Sequence, residues 1–340
     1  MRIAASLACA SAHSVRRDGR TAKRYTSAPA KARKPAETPI KDALMNRLLA
    51  ALVVAVSIAA TGLTSHSLAQ APPTRAPATD TIGKLKATKQ INVAVSADSF
   101  PMSFIKDQRD PVGYSIDLCK RVIAQLGRAA GVPDLKITWV AGTVAERIAM
   151  VASGKADIDC ANTTATLSRM NDVDFSSLIF IETGGLLVKD GGPVQQFNDL
   201  SGRTVGVISG TTTETRLDAL LKQKLVNAKV VRVKDGNEAV ALLEKGSLDA
   251  FASDKVKLVG LAVMAKNTKA LAILGEDLSL EPIAFAVPRG DSAFRLEVNR
   301  ALTQIYIGGE IEGIFMTWLG PIGRPSGILS AMYLLNAFPQ

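Results

Sequence analysis

The segment Ala149–Asn162, AMVASGKADIDCAN, finds its own frame again, without a gap, at Ala241–Asp254, ALLEKGSLDAFASD. Each copy reads as the end of an amphipathic helix, then a glycine, two residues, an aspartate and a short strand. Gly154 and Gly246 suit the left-handed position that closes a helix. Asp157 and Asp249 open the strands, and Asn162 and Asp254 fall at matching strand ends. One supersecondary unit used twice predicts two similar lobes. In open α/β sheets, ligands bind beyond the carboxyl ends of the strands. Asn162-Thr163-Thr164 and Asp254 are therefore the first candidates for ligand contact.

The flanking pattern alternates strand and helix. A helix over Thr81–Thr88 leads into a strand at Ile91–Val95. Helix Gly113–Ala130 carries Ile116, Cys119, Val122, Ile123 and Leu126 on one stripe. Strand Leu135–Val140, helix Val144–Ala152 and strand Ala156–Cys160 follow. Phe175–Val188 is extended and apolar and reads as a crossover into a second β/α series. That series runs through strands at 204–208, 229–233 and 248–252, with helices at 211–222, 237–244 and 255–265. Pro282–Val287 is again extended and apolar and reads as the return crossing. Helices Phe294–Gly308 and Glu310–Leu319 close the chain. Alternating strands and helices predict parallel-type sheets with helices on both faces. The expected fold is α/β and two-lobed, with two such sheets joined by a two-strand hinge. The expected division is lobe 1 over residues 81–183 and 286–340, and lobe 2 over 184–285. The apolar tail 320–340 is expected to dock on lobe 1.

The first fifth of the chain reads differently. Met45–Ala69 has a basic Arg47, an apolar run Leu48–Ala60, and Ser67 and Ala69 before an expected cleavage point. That is the pattern of a secretory signal peptide, and the apolar run is shorter than the ~20 residues of a spanning helix. Residues 1–44 form a basic leader that fits a start codon assigned too far upstream, and residues 70–80 form a Pro/Ala linker. The 340-residue sequence carries a formal charge of +10, but residues 1–69 hold 11 of the 41 basic and 3 of the 31 acidic residues. The remainder has 30 basic against 28 acidic residues, a net +2. The basic character that would suggest nucleic acid as a partner thus belongs to the leader. Both histidines, His13 and His66, also lie there, which excludes histidine acid–base and triad chemistry downstream. Cys119 and Cys160 are compatible with a disulfide or with two buried thiols, and the small-hydrophobe character of free cysteine favours thiols. No CxxC or metal-ligand cluster is present, so neither metal nor cofactor is expected.

Several side chains converge at the predicted strand ends. Ser209-Gly210-Thr211-Thr212-Thr213 joins a strand to a helix start, where amide groups and the helix dipole favour an anion. Thr163 and Thr164 offer hydroxyls after the matching strand of the first lobe. Arg169 follows shortly, and a guanidinium grips a carboxylate through two parallel hydrogen bonds. Asp254 supplies a carboxylate for a cation. A carboxylate-seeking Arg and an ammonium-seeking Asp on one cleft fit a free α-amino acid.

The ordered set Val112-Gly113-Tyr114-Ser115-Ile116-Asp117-Leu118, Asp157 to Thr164, Ser168-Arg169, Val173-Asp174-Phe175-Ser176 and Ser209 to Thr212 resembles the family 3 periplasmic solute-binding proteins of amino-acid ABC importers. Within them it is most similar to the glutamate/aspartate-binding branch, and the resemblance spans about Thr81 to Leu319. The resemblance implies that Arg169 and Thr164 hold the ligand α-carboxylate. It gives the α-ammonium to Asp254, helped from the Asn162–Thr163 turn, and a second-lobe contact to Thr211. Arg147 is implied at the side-chain end of the pocket. The chain departs from that branch at three points: Ser96 stands for an Arg after the first strand, Gly236 for a His after Lys-Asp, and Val144 for a Ser. Lys106 or Arg109, in the loop after the first strand, are candidate substitutes for the missing charge.

The function this implies is non-catalytic. A periplasmic receptor captures a free polar amino acid, glutamate/aspartate-like or glutamine-like, between closing lobes. As a monomer it delivers the ligand to the membrane permease subunits of an ABC importer. The reading from a different class is a periplasmic cyclohexadienyl or arogenate dehydratase-like enzyme on the same fold. That chemistry needs an acid near the leaving group, and no glutamate stands out beside the threonine cluster.

Overall fold

The computed structural model describes residues 80–339 apart from 108, 109, 266 and 268. The leader, the signal peptide and nearly all of the linker lie outside the described residues, as does Arg109. The first lobe opens with α1 (Thr81–Thr88), β1 (Gln90–Val95) and a small hairpin, β2 (Asp98–Ser99) and β3 (Ser103–Phe104). Then come α2 (Tyr114–Ala130), β4 (Lys136–Ala141), α3 (Val144–Ala152) and β5 (Ile158–Asp159). The long strand β6 (Val173–Lys189) leads to β7 (Thr204–Ile208), α4 (Thr212–Gln223), β8 (Lys229–Val233), α5 (Gly236–Lys245), β9 (Ala250–Asp254) and α6 (Lys255–Met264). Strands β10 (Leu271–Ile273) and β11 (Ser279–Pro288) precede α7 (Ser292–Ile307), α8 (Glu310–Trp318) and α9 (Gly327–Leu335).

The strand order β4-β1-β5-β11-β6-β9-β7-β8 is close to a palindrome. β1 lies between β4 and β5, all parallel, and β7 lies between β8 and β9, all parallel. β11 borders one trio and β6 the other, both antiparallel to it. The ladder between β6 and β11 joins the halves, so the two sheets share one run of hydrogen bonds across the connection. The protein is a two-lobed α/β fold of the type II periplasmic-binding kind.

The sequence repeat is realised in matching hydrogen bonds. Asp157 Oδ2 accepts from the Asn92 amide at 2.9 Å, and Asp249 Oδ2 accepts from the Thr204 amide at 2.8 Å. In each lobe the repeated aspartate pins the start of the central strand. Gly154 and Gly246 have φ of 73° and 77°, the left-handed turn that only glycine enters cheaply.

Period-two alternation decides the cores. In the second lobe Leu186, Val188, Val205, Val207, Ala250 and Ala252 pack against α4. Leu187 and Phe251 point the other way, towards α5 and α6. In the first lobe Val93, Val95, Ile283, Phe285 and Val287 face α2 and α7. Ala94, Ala284 and Ala286 form the opposite face, small enough for α3 to seat Ile148 and Val151 on it. We therefore place the return crossing between Ser279 and Pro282, earlier than the Phe285 expected from sequence. The apolar run after Pro282 is a core strand of the first lobe.

The tail folds as α9 with Leu329, Met332 and Tyr333 in the first-lobe core. The Tyr333 and Tyr114 hydroxyls hydrogen-bond at 2.8 Å, and Tyr114 also donates to the Ile179 carbonyl at 2.7 Å. Cys119 and Cys160, which sequence reading weighed towards buried thiols, form a disulfide with Cα atoms 5.9 Å apart. Cys119 lies on the inward stripe of α2 and Cys160 just beyond β5, both fully buried, so packing brings the sulfurs together. A bond across a separation of 41 residues stabilises by about 4 kcal/mol through loop closure in the unfolded chain. Cys119→Ser/Cys160→Ser is expected to lose roughly that much in urea denaturation while keeping its ligand affinity.

Candidate functional site

The carboxyl ends of β1, β5, β7 and β9 open onto one cleft between the lobes, and a cavity of about 330 Å³ lies there. Asn162, Thr164, Arg169, Thr211, Asp254 and Arg147 all line it. Thr163 does not.

Arg169 begins a 3-10 turn, Arg169–Asn171, that follows the loop after β5. Its guanidinium is half-buried. Nη1 donates to the Thr164 carbonyl at 2.8 Å and Nη2 to the Gly210 carbonyl, on the other lobe, at 3.3 Å. None of the ion pairs among the described residues includes it. Burial, and then the neighbouring charge of Arg147, push its pKa down. The arrangement suits an incoming anion that supplies the absent countercharge.

Asp254 ends β9 and starts α6 without capping that helix through its side chain. Its Oδ2 accepts from Asn162 Nδ2 at 2.9 Å, so the two equivalent positions of the repeat meet across the cleft. Burial, with Glu281 adding like charge, raises its pKa to about 6. Glu281 lies opposite Glu182 in the ladder that joins the lobes. Glu281 accepts from Thr212 Oγ1 at 2.8 Å and from Ser279 Oγ. Glu182 accepts from the Val256 amide at 3.2 Å, and its other carboxyl oxygen has no partner among the described residues. Burial raises the Glu182 pKa well above the usual carboxylate range, with Asp254 next in effect. Sequence reading found no glutamate beside the threonines. These two were hidden in the crossing strands, where the signal was a carboxylate in an otherwise apolar run. Neither lines the cavity.

Thr164 and Thr212 bring hydroxyls from the two lobes within 3.4 Å of each other. Thr211 caps α4, accepting from the Glu214 amide at 3.1 Å and donating to the Ile208 carbonyl at 2.7 Å. Its hydroxyl is thereby occupied by the fold. Thr212, which sequence reading placed in the same turn without assigning it a ligand contact, also lines the cavity.

Arg147 and Thr163 belong to a network behind the cleft wall. Arg147 Nε pairs with Asp159 Oδ1 at 2.9 Å, both side chains nearly fully buried. Its Nη1 donates to the Gly142 carbonyl at 2.9 Å and Nη2 to Thr163 Oγ1 at 3.0 Å. Thr163 in turn donates to Asp159 Oδ2 at 2.6 Å. Arg147 touches the cavity with its charge already balanced, so it braces the Asn162–Thr164 turn. Lys106 is exposed and away from the cavity. Lys257 supplies a cation instead: it lines the cavity, 7% exposed, and donates to Asp98 Oδ2 at 2.8 Å.

A model of the bacterial extracellular solute-binding proteins, family 3, matches residues 91–321. The L-glutamate/L-aspartate-binding protein of Pseudomonas aeruginosa is 32% identical over 276 residues, 81% of this chain and 91% of that protein. The glutamate/aspartate import solute-binding protein of Escherichia coli is 30% identical over 254 residues, 75% of this chain and 84% of that protein. Among solved structures, an ancestral arginine-binding protein bound to glutamine superposes with a TM-score of 0.61 at 28% identity, covering 68% of this chain and 98% of that one. The curated relatives are transporter binding proteins, not enzymes.

Removing one partner of a buried ion pair strands the other charge, at a cost of ~3–5 kcal/mol. Arg147→Met is therefore expected to lower stability by about that amount in chemical denaturation. Replacing Asp159 by Asn in the same chain should recover part of the loss. An unchanged unfolding midpoint in the single variant would contradict the bracing role.

Proposed function

Since the chain belongs to the bacterial extracellular solute-binding proteins of family 3, we propose that its cleft captures a free polar amino acid in the periplasm and hands it to an ABC importer. The observation that carries this reading is the pair of opposed groups in one cavity. Arg169 is a half-buried guanidinium bonded only to carbonyl oxygens, and Asp254 is a carboxylate at the equivalent strand end of the other lobe. One binds an α-carboxylate and the other an α-ammonium. Thr164 and Thr212 add hydroxyls from both sides. Both anchors come from one chain, so a monomer suffices. Because they sit on different lobes, the ligand gains all its contacts only when the lobes approach, and the crossings in β6 and β11 act as the hinge. Export through the segment 45–69 and docking of the closed form on permease subunits complete the proposal.

The dehydratase alternative draws little support. Glu281, which accepts from Thr212, and Glu182 opposite it are 2% and 6% exposed, engaged in the strands that join the lobes, and off the cavity wall, and Asp159 beside Thr163 is held by Arg147.

Arg169→Ala is expected to fold normally and to weaken amino-acid binding at least about a hundredfold in calorimetric titration, the scale of ~3–5 kcal/mol for an unpaired buried charge. Near-normal affinity would remove Arg169 from the site. The pH dependence follows from Asp254. With its pKa at about 6 in the free protein, an ammonium must displace a proton below that pH and none above it. Affinity should be flat from about pH 7 to 8 and fall by up to about tenfold per unit below about 6. Affinity that rises on acidification would contradict the ammonium role.

A further inference from the structure

Ser96 opens onto the cavity beside Asp98 and Lys257, so this end of the wall carries charge of both signs. Lys257 lies one helical turn beyond Asp254 on α6, about 4.5 Å along the axis, and positions three apart share a face of the helix. Its ammonium reaches across the lobes to Asp98 Oδ2 at 2.8 Å. Among the described residues that is its sole hydrogen bond, although an ammonium has three donors. Asp98 accepts on the same oxygen from the Gly236 amide at 3.3 Å, and on Oδ1 from Ser96 Oγ at 3.1 Å. Oδ1 therefore keeps a lone pair. Burial pushes the Asp98 pKa up, but the Lys257 charge together with the hydrogen bonds from Lys257, the Gly236 amide and Ser96 outweighs it and holds the carboxyl below its usual range.

Gly236 fits this arrangement sterically. A Cβ there would stand 2.7 Å from Leu261 Cδ1 and 3.2 Å from Lys257 Cε. The space that a side chain at 236 would take is filled by α6 and the stem of Lys257. Ser96 and Gly236 thus serve one arrangement: one feeds a hydrogen bond to Asp98 and the other makes room for Lys257.

We propose that Lys257 and Asp98 are the specificity-determining residues of the cleft and that they select an amino acid with a side-chain amide, as in glutamine. This rests on the amino-acid-binding function proposed above. The amide carbonyl accepts from the spare donors of Lys257, and the amide NH2 donates to Asp98 Oδ1. The wall is neutral as a pair, as is the Arg147–Asp159 pair beside it. A side-chain carboxylate would face an ionised Asp98 with no buried unbalanced cation at that end of the cleft, since Lys234, which also lines the cavity, is solvent-exposed, and burying a charge without its own partner is unfavourable.

The test is a set of calorimetric titrations at pH 7.5 with glutamine, asparagine, glutamate and aspartate. The wild-type protein is expected to bind one of the amides at least tenfold more tightly than the matching acid. Asp98→Asn leaves Lys257 without a countercharge, so the amide-to-acid affinity ratio should fall at least tenfold, with the acid gaining. A structural role alone would weaken both ligands together and leave that ratio in place. Lys257→Gln, checked for an unchanged far-ultraviolet spectrum, should weaken the acid further. Wild-type protein that binds the acid as tightly as the amide, or an Asp98→Asn ratio that stays put, overturns the amide assignment while leaving the receptor function standing. Wild-type protein that binds no free amino acid overturns both.

Discussion

Arg169 is held in the cleft by carbonyl oxygens alone, and the organisation around it follows from that incomplete pairing. A half-buried guanidinium without a carboxylate costs free energy in the unliganded protein. The fold tolerates it because the surrounding turn is braced from behind by Arg147, Asp159 and Thr163. Those three side chains satisfy one another and leave none of their charge over. The balanced cation and the unbalanced one are separated by the single turn Asn162–Thr164. One holds the backbone, and the other is left for a ligand.

The duplicated unit explains why the opposing group is a carboxylate at Asp254. Each lobe ends its third parallel strand at the same point of the repeat, and the palindromic strand order turns those two ends towards each other. Asn162 and Asp254 occupy equivalent places and hydrogen-bond across the cleft at 2.9 Å. An amide on one side and an acid on the other give the site a polarity that two identical copies would lack. Burial first, and then the like charge of Glu281 in the connecting ladder, raise the pKa of Asp254. The strands that join the lobes thereby also act on the proposed anchor.

Much of this was legible in the sequence. The gapless repeat announced two lobes, and Asp157 and Asp249 proved to make the same hydrogen bond in each. Periodicity placed α1 to α8 to within a residue or two, though not α9 in the tail, and the position of Arg169 after the repeat pointed to the cleft. What sequence could not supply was direction at a strand end. Thr163 and Thr164 are neighbours, yet one points into the brace and the other into the cavity, as alternation along an extended chain requires. The engagement of Arg147 was invisible because its partner Asp159 lay inside a motif already read as a strand. Lys257 was not singled out within its helix, and its three-residue spacing from Asp254 was the available clue. Our placement of the return crossing before Pro282 differs from the one expected from sequence because an apolar run serves equally as a crossing and as a core strand. Whether Cys119 and Cys160 pair depends on how α2 seats against β5, which periodicity does not determine.

The central claim is that the cleft recognises both α-groups of a free amino acid at once. Titration of the wild-type protein with its amino-acid ligand, its N-acetyl derivative and its α-amide tests that claim most directly. Each modification removes one charge and leaves the side chain intact. The account predicts that the free amino acid binds and that either modification weakens binding at least a hundredfold, the scale of ~3 kcal/mol for a stranded buried partner. Binding of either derivative within about tenfold of the free amino acid, or ~1.4 kcal/mol, would contradict it.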